Sequence, residues 1–257
     1  VFGKLFGFKK STDALEEDLP ADANWGFIGT DMHSHLIPGI DDGSKSTEDS
    51  ISLIRSLIGL GYTSIITTPH VMIDFYPNTA KIILDGLAGL QTSLAEQDIS
   101  IKIKAAAEYY IDESFVELLE REPLLCVHKN QVLVEFSMLY EPPMLFDVIF
   151  KMITNGYVPI LAHPERYVFL HNHPEKFQSL KDRGCLFQLN QLSITGYYGQ
   201  NIRKVALKLM HERMYDYIGS DMHHEKHAEG LTKMLTIKEH YFPLYRYPFK
   251  NSQLSLW

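Results

Sequence analysis

Seven times along the chain, a short apolar run is followed by a His, Asp, Glu or Asn and then by a longer stretch with helical spacing. The apolar runs cover residues 27–32, 63–68, 101–107, 131–136, 157–162, 185–189 and 214–219. The helical stretches lie near 47–60, 78–97, 112–121, 141–155, 173–183, 199–213 and 225–240. Ser46 or Thr47, ahead of Glu48 and Asp49, predicts one helix N-cap, and Asn78 before Thr79 predicts another. Gly61, Gly156 and Gly184 stand where three helices should stop. Strand followed by helix, repeated, predicts parallel strands joined by crossovers and so an α/β fold. An open doubly wound sheet and a closed barrel both satisfy that pattern. In an open sheet, ligand-binding residues gather at one crevice served by two or three strands. Here every run ends near a polar residue: His33, His70, Glu108, Glu135, His163, Asn190 and Asp221. Sites ringed by C-terminal strand ends are the barrel pattern. The expectation is a distorted seven-stranded (β/α)7 TIM-like barrel.

Bulk properties narrow the context. At 257 residues the chain suits one large α/β domain or two small ones. Residues 1–24, polar and acidic from Ser11 to Asn24, read as an extension or linker, and 25–257 as a single barrel domain. No stretch approaches the length of an apolar membrane span. The first ten residues lack the apolar run of a secretory signal and read as a frayed tail. Cys126 and Cys185, far apart and without metal-like spacing, argue for a reducing, cytoplasmic location. A net charge of −8 with no long basic run argues against nucleic acid as a partner.

The polar residues at the run ends are the kinds that hold metals. In Asp31-Met32-His33-Ser34-His35, residues two apart on a strand share a side, so His33 and His35 can meet one ion. Asp221-Met222-His223 repeats that spacing. Thr68-Pro69-His70 and Ala162-His163-Pro164 place a histidine after an apolar run, and Glu108 and Glu135 stand likewise. Each alone has a plain structural explanation, a solvated strand end or a capping histidine; their recurrence at successive run ends argues for a shared role. Asp41-Asp42-Gly43 adds a carboxylate in the first loop, where Asp-Gly is also an ordinary turn pair. Asp42, Glu108, Glu135 and Asp221 would bring four negative charges together, with Arg166 the main nearby cation. Such carboxylates raise one another's pKa unless neutralised. Three divalent ions would neutralise them and leave a cationic pocket suited to a phosphate dianion. Mixed imidazole and carboxylate ligands suit Mn²⁺, Fe²⁺ or Zn²⁺ better than Mg²⁺ or Ca²⁺. Phosphate-ester hydrolysis by hydroxide held between adjacent ions needs no covalent intermediate. The thiolate alternative requires a Cys with Arg six residues on; Val132 and Gln191 occupy those positions, which excludes it.

Together, Asp31 to His35, Thr68-Pro69-His70, Glu108, Glu135-Phe136-Ser137, His163 to Tyr167 and Ser220 to His223 resemble the polymerase-and-histidinol-phosphatase (PHP) superfamily. More closely they resemble its bacterial protein-tyrosine phosphatases of capsule and exopolysaccharide synthesis. The resemblance runs from about residue 28 to about 240. It implies a PHP-type barrel with three metal ions at the C-terminal ends of the strands, Mn²⁺ first, with Fe²⁺ or Zn²⁺ as alternatives. Carried over by position, His33, His35, Glu108 and Asp221 hold the first ion. Glu108, bridging, joins Glu135 and His163 at the second, and Asp42, His70 and His223 hold the third. Arg166 grips the phosphoryl group, a rim salt bridge with Glu165 or Glu141 being its alternative. His223 or a metal-bound water serves as general acid. The implied substrate is phosphotyrosine on a membrane-associated polysaccharide-synthesis tyrosine kinase. A small phosphomonoester such as histidinol phosphate, and a non-catalytic metal-binding module, are the competing readings. Two departures bear on substrate recognition: Val71-Met72-Ile73-Asp74 follow His70 where relatives often carry basic residues, and Lys226 is the nearest cation after the last histidine motif. His128, His171, His173, His211, His224, His227 and His240 read as surface or packing residues. Tyr109, Tyr110, Tyr197 and Tyr198 read as mouth or rim, and the stretch from Tyr241 to Trp257 as an outer cover or a subunit contact. The sequence leaves the oligomeric state open.

Overall fold

A computed structural model describes residues 17–254; the expected frayed tail and the last three residues fall outside that range. Strands are β1 (Thr30–Asp31), β2 (Ser64–Thr67), β3 (His70–Val71), β4 (Lys102–Ala105), β5 (Glu108–Tyr110), β6 (Gln131–Glu135), β7 (Val158–Ala162), β8 (Leu186–Asn190) and β9 (Tyr217–Gly219). Helices are α1 (Thr47–Gly59), α2 (Ala80–Glu96), α3 (Glu113–Arg121), α4 (Leu145–Thr154), α5 (Pro174–Asp182), α6 (Gln200–His211), α7 (Glu225–Met234) and α8 (Lys238–Tyr245). Every strand pairing is parallel, as strand–helix alternation requires.

Where seven strands were expected, the described residues form nine short ones in two sheets, ordered β1-β2-β4 and β3-β5-β6-β7-β8-β9. Pro69 explains the extra elements. It has no N–H to give to a ladder, so the extended stretch that begins in the second run and continues past it divides into β2 and β3. The pairing nevertheless keeps one register, Thr67 opposite Ala105 and His70 opposite Glu108. Between them Ala106 N–H donates to the Thr67 carbonyl at 2.9 Å and Glu108 N–H to the Pro69 carbonyl at 3.1 Å. No ladder joins β1 to β9 among the described residues. Side chains and an isolated parallel bridge, Ser34 to Met222, span that gap instead. Buried Asn251 donates to the Thr30 and Ile218 carbonyls at 2.9 and 2.7 Å and accepts from Ile218 N–H at 3.0 Å.

The helices form where amphipathic spacing places them. Ile83, Leu87, Leu90 and Leu94 make the buried stripe of α2. Ser46 caps α1 by accepting from Asp49 N–H. Thr79, not Asn78, caps α2; Asn78 donates instead to the Ile40 and His70 carbonyls. The last expected helix divides into α7 and α8 around Ile237, which is extended. Tyr241, Phe242 and Leu244 pack into the main core with Trp25, while Leu254 joins a second cluster with Met32, Ile66, Leu133 and Ile160. Within the tail, α8 thus buries one face against the core and leaves Tyr245 exposed. Cys126 and Cys185 are unpaired. No helix of the described residues is long and apolar enough to cross a membrane.

Candidate metal centre

Parallel strands point their C-terminal ends the same way, so residues at those ends converge although they lie far apart in the chain. Asp42, His70, Glu108, Glu135, His163, Arg166, Asp221 and His223 line one cavity of about 360 Å³. His33 and His35 form its fully buried floor. Every residue expected in the site is therefore brought to this one place.

The side chains fall into groups that could each hold an ion. His33 Nε2 lies 3.3 Å from His35 Nε2, 3.0 Å from Glu108 Oε2 and 3.2 Å from Asp221 Oδ1. His35 Nε2 is 3.4 and 3.5 Å from the same two oxygens. Four ligands held roughly 2.1 Å from one ion would be about 3.4 Å apart. Two imidazole Nε2 atoms at this distance cannot both be hydrogen-bond donors. A second group is His70 Nδ1 with Glu135 Oε1 at 3.0 Å and Glu108 Oε2 at 3.3 Å. His163 Nε2 sits 3.2 Å from Glu108 Oε1 and 3.9 Å from Glu135 Oε2. A third joins Asp42 Oδ1 to His70 Nε2 and His223 Nε2, each at 3.4 Å. His70 thus faces both the second and third groups. Despite its close carboxylates, the buried His70 Nδ1 makes no well-formed hydrogen bond. Such a nitrogen suits a cation better than a proton bridge, so the donor set fits divalent ions.

Residues around the ligands fix which ring nitrogen faces inward. Asp41 Oδ2 takes His35 Nδ1 at 2.8 Å, and Gln188 Oε1 takes His33 Nδ1 at 2.9 Å. Each hydrogen bond puts the ring proton on Nδ1 and leaves the Nε2 lone pair toward the site. Asp41 also accepts from His70 N–H and Gly43 N–H. Asp41 entered the sequence pattern only as part of Asp41-Asp42-Gly43, without a role of its own, and Gln188, two before Asn190 on β8, did not enter it. Gly219 is needed for close approach: a Cβ there would stand 2.6 Å from the His33 Cβ and 2.8 Å from Gln188 Nε2. His163 and Asp221 hold left-handed backbone (φ 34° and 52°), strain of the kind concentrated at functional sites.

Electrostatics follow the contacts. For Glu108 and Asp221, burial acts to raise the pKa, but His33 and other imidazoles outweigh it and hold both well below the carboxylate range. Burial raises Asp41 likewise, and His35 overcomes it, pulling it down to about 2. For His70, burial and His35 oppose the charged form, yet Glu108, Glu135 and Asp42 lift it to about 10.

Arg166 makes neither expected rim pair. Its Nη1 donates to Asp221 Oδ2 at 2.9 Å, and its guanidinium lies 4.4 Å from the Tyr198 ring centroid. Glu165 turns inward to Tyr215 Oη and Asn190 N–H, and Glu141 pairs with Lys176. Asn190 Nδ2 bridges Asp221 Oδ2 at 2.9 Å and Tyr198 Oη at 3.2 Å. His227, expected as a surface or packing residue near the site, lines the cavity and accepts His223 N–H on Nδ1.

Known proteins carry the same architecture. YwqE, a tyrosine-protein phosphatase of Bacillus subtilis, is 27% identical over 197 residues, 76% of this chain and 78% of its own length. CpsB, a tyrosine-protein phosphatase of Streptococcus pneumoniae, is 26% identical over 199 residues, 75% and 82% of the two chains. One solved structure, from a set of YwqE and CpsB crystal structures described as metal-dependent tyrosine phosphatases, matches with a TM-score of 0.74 at 24% identity, over 88% of this chain and 93% of the other. The profile for capsular polysaccharide synthesis, CpsB/CapC, matches residues 29–238, from the approach to β1 into α8, and the chain belongs to that family.

Proposed function

We propose that this chain is a metal-dependent protein-tyrosine phosphatase that regulates capsular or exopolysaccharide synthesis from the cytoplasm. The observation that carries the reading is the convergence of five imidazoles and four carboxylates on one cavity with Arg166 in its wall. Family membership and the names of the relatives point the same way. Three divalent ions bound there, Mn²⁺ or alternatively Fe²⁺ or Zn²⁺, would supply Lewis acidity for phosphoryl transfer to water. We assign His33, His35, Glu108 and Asp221 to the first ion, Glu108, Glu135 and His163 to the second, and Asp42, His70 and His223 to the third.

Arg166 gives one N–H to Asp221 and keeps its other donors for phosphoryl oxygens, a task suited to a planar guanidinium. His223 Nδ1 lies 2.9 Å from the Asp221 carbonyl; donation there turns the Nε2 lone pair toward Asp42. That orientation favours its ligand role over its expected role as general acid. A phenol, with pKa about 10, leaves with less help from an acid than an alkoxide does. The substrate is then a tyrosine-phosphorylated protein, such as the kinase of the same process. We also read the two sheets as one distorted barrel of seven β/α units within the domain expected from residue 25 onward. The shared register across Pro69 and the Asn251 bridge support this.

Metal analysis and phosphotyrosyl-peptide turnover of two variants test the proposal. His33→Ala should lose metal and activity, and Arg166→Ala should keep metal and lose activity. Full activity of Arg166→Ala, or strong preference for histidinol phosphate, would overturn it.

A further inference from the structure

The metal centre is acidic and imidazole-rich, yet the loops around it are conspicuously apolar. Phe75, Leu139 and Tyr140 are 69%, 71% and 70% exposed, and Ile73, Val168 and Tyr197 are also open to solvent. All six sit on loops that leave the C-terminal ends of β3, β6, β7 and β8, strands of one parallel sheet whose ends carry the candidate ligands. Those loops are tied to the centre and to one another. Tyr76, next to Phe75, stacks on His70 with ring centroids 5.4 Å apart. Val168 N–H donates to the carbonyl of Met138, which lines the cavity beside Leu139. Tyr197 packs edge-on against Tyr198 at 4.9 Å, and Tyr198 carries Arg166.

Resting on the phosphatase reading, we infer that these side chains form a collar that binds the polypeptide flanking a phosphorylated tyrosine and selects apolar over acidic neighbours. Large exposed apolar side chains gathered at one place mark interaction surfaces, since leaving them in water is unfavourable. Because the collar loops also carry the catalytic groups, whatever covers them lies over the centre. A small phosphomonoester would fit within the cavity and leave the collar bare. A peptide reaches both at once, its phosphoryl group at Arg166 and its flanks on the collar. Charge sets the preference. Segments 71–78, 137–143 and 195–199 contain no Lys or Arg, but do contain Asp74 and Glu141. Because Glu141 is already paired with Lys176, acidic flanking residues meet no cation on these segments and the like charge of Asp74.

The test uses the metal-loaded enzyme, phenyl phosphate, and two phosphotyrosyl peptides of equal length, one with apolar and one with acidic flanks. A triple variant, Phe75→Ser, Leu139→Ser and Tyr140→Ser, alters exposed positions that the fold does not bury. The expected result is a kcat/KM roughly tenfold higher for the apolar peptide than for the acidic one. The triple variant should erase most of that advantage and leave phenyl phosphate turnover within about twofold. A non-hydrolysable phosphonate version of the apolar peptide should lose affinity in parallel. Equal turnover of the two peptides, or an unchanged preference in the variant, overturns the collar while leaving the phosphatase reading intact. A variant that changes only the sedimentation of the protein overturns it in favour of self-association. Failure of the wild type to hydrolyse either peptide or phenyl phosphate overturns both readings.

Discussion

At the scale of single residues, Asp221 shows how one side chain serves two purposes. Its Oδ1 faces His33 and His35, while its Oδ2 accepts from Arg166 and Asn190. The Arg166 guanidinium is then aimed by a carboxylate on one side and the Tyr198 ring on another. Tyr198→Leu is expected to raise the inhibition constant of inorganic phosphate by about three- to tenfold, the worth of a partly desolvated cation–π contact. Tyr198→Phe should change it much less, and metal content should stay constant in both. Undiminished phosphate inhibition in Tyr198→Leu would show that the ring does not aim the arginine. The groups behind the ligands make a separate prediction. Gln188→Ala or Asp41→Asn should weaken metal binding by about 10- to 100-fold in a competition assay with a chelating dye. The ligands were legible because His, Asp and Glu at strand ends stand out in a sequence. Gln188 did not stand out, and Asn190 stood out only as a run-end residue without a role, since an amide acquires its role only from the histidine or carboxylate it touches.

At the scale of elements, the runs and helices followed from periodicity, because apolar spacing is a local property. Their interruptions did not. Pro69 divides a strand, yet the register across it continues, and only the partner strand reveals that. Asp216, just before β9, has a role no local pattern announces. It accepts from Lys181 on α5 at 2.5 Å, from Lys250 at 2.7 Å and from Phe187 N–H on β8 at 2.9 Å. Burial acts to raise its pKa, but these donors outweigh burial and hold it below the ordinary aspartate range. A depressed folded pKa means its contribution is fully present above the unfolded value of about 3.9 and is lost as pH falls through the folded one. Asp216→Asn should therefore cost about 2 kcal/mol near neutral pH. Denaturant midpoints should converge with wild type as pH drops below about 4; a pH-independent difference would show that the charge is not what matters.

At the scale of the whole molecule, the first and last strands must meet for the centre to exist, since His33 follows β1 and Asp221 follows β9. Asp31 accepts from Ser220 N–H and Oγ, 189 positions away, at 2.9 and 2.7 Å. At the other end of the strands, Asn251 supplies hydrogen bonds that no ladder makes there. Replacing it with Leu strands buried backbone groups on both strands, each costing about 1–3 kcal/mol. Asn251→Leu is expected to unfold several degrees earlier in a thermal scan and to bind metal more weakly. Normal metal affinity at a lowered midpoint would show that the seam supports the fold without supporting the centre.

The sequence by itself determined the α/β alternation, the parallel arrangement and the residue types available to a metal centre. Those properties reside in neighbouring residues and in the direction that each strand–helix unit imposes. Tertiary structure alone decided that the strands divide into two sheets, that Arg166 pairs with Asp221, and that Gln188 and Asp41 orient the imidazoles. These outcomes depend on which distant side chains arrive at the same point, and local spacing does not specify that meeting.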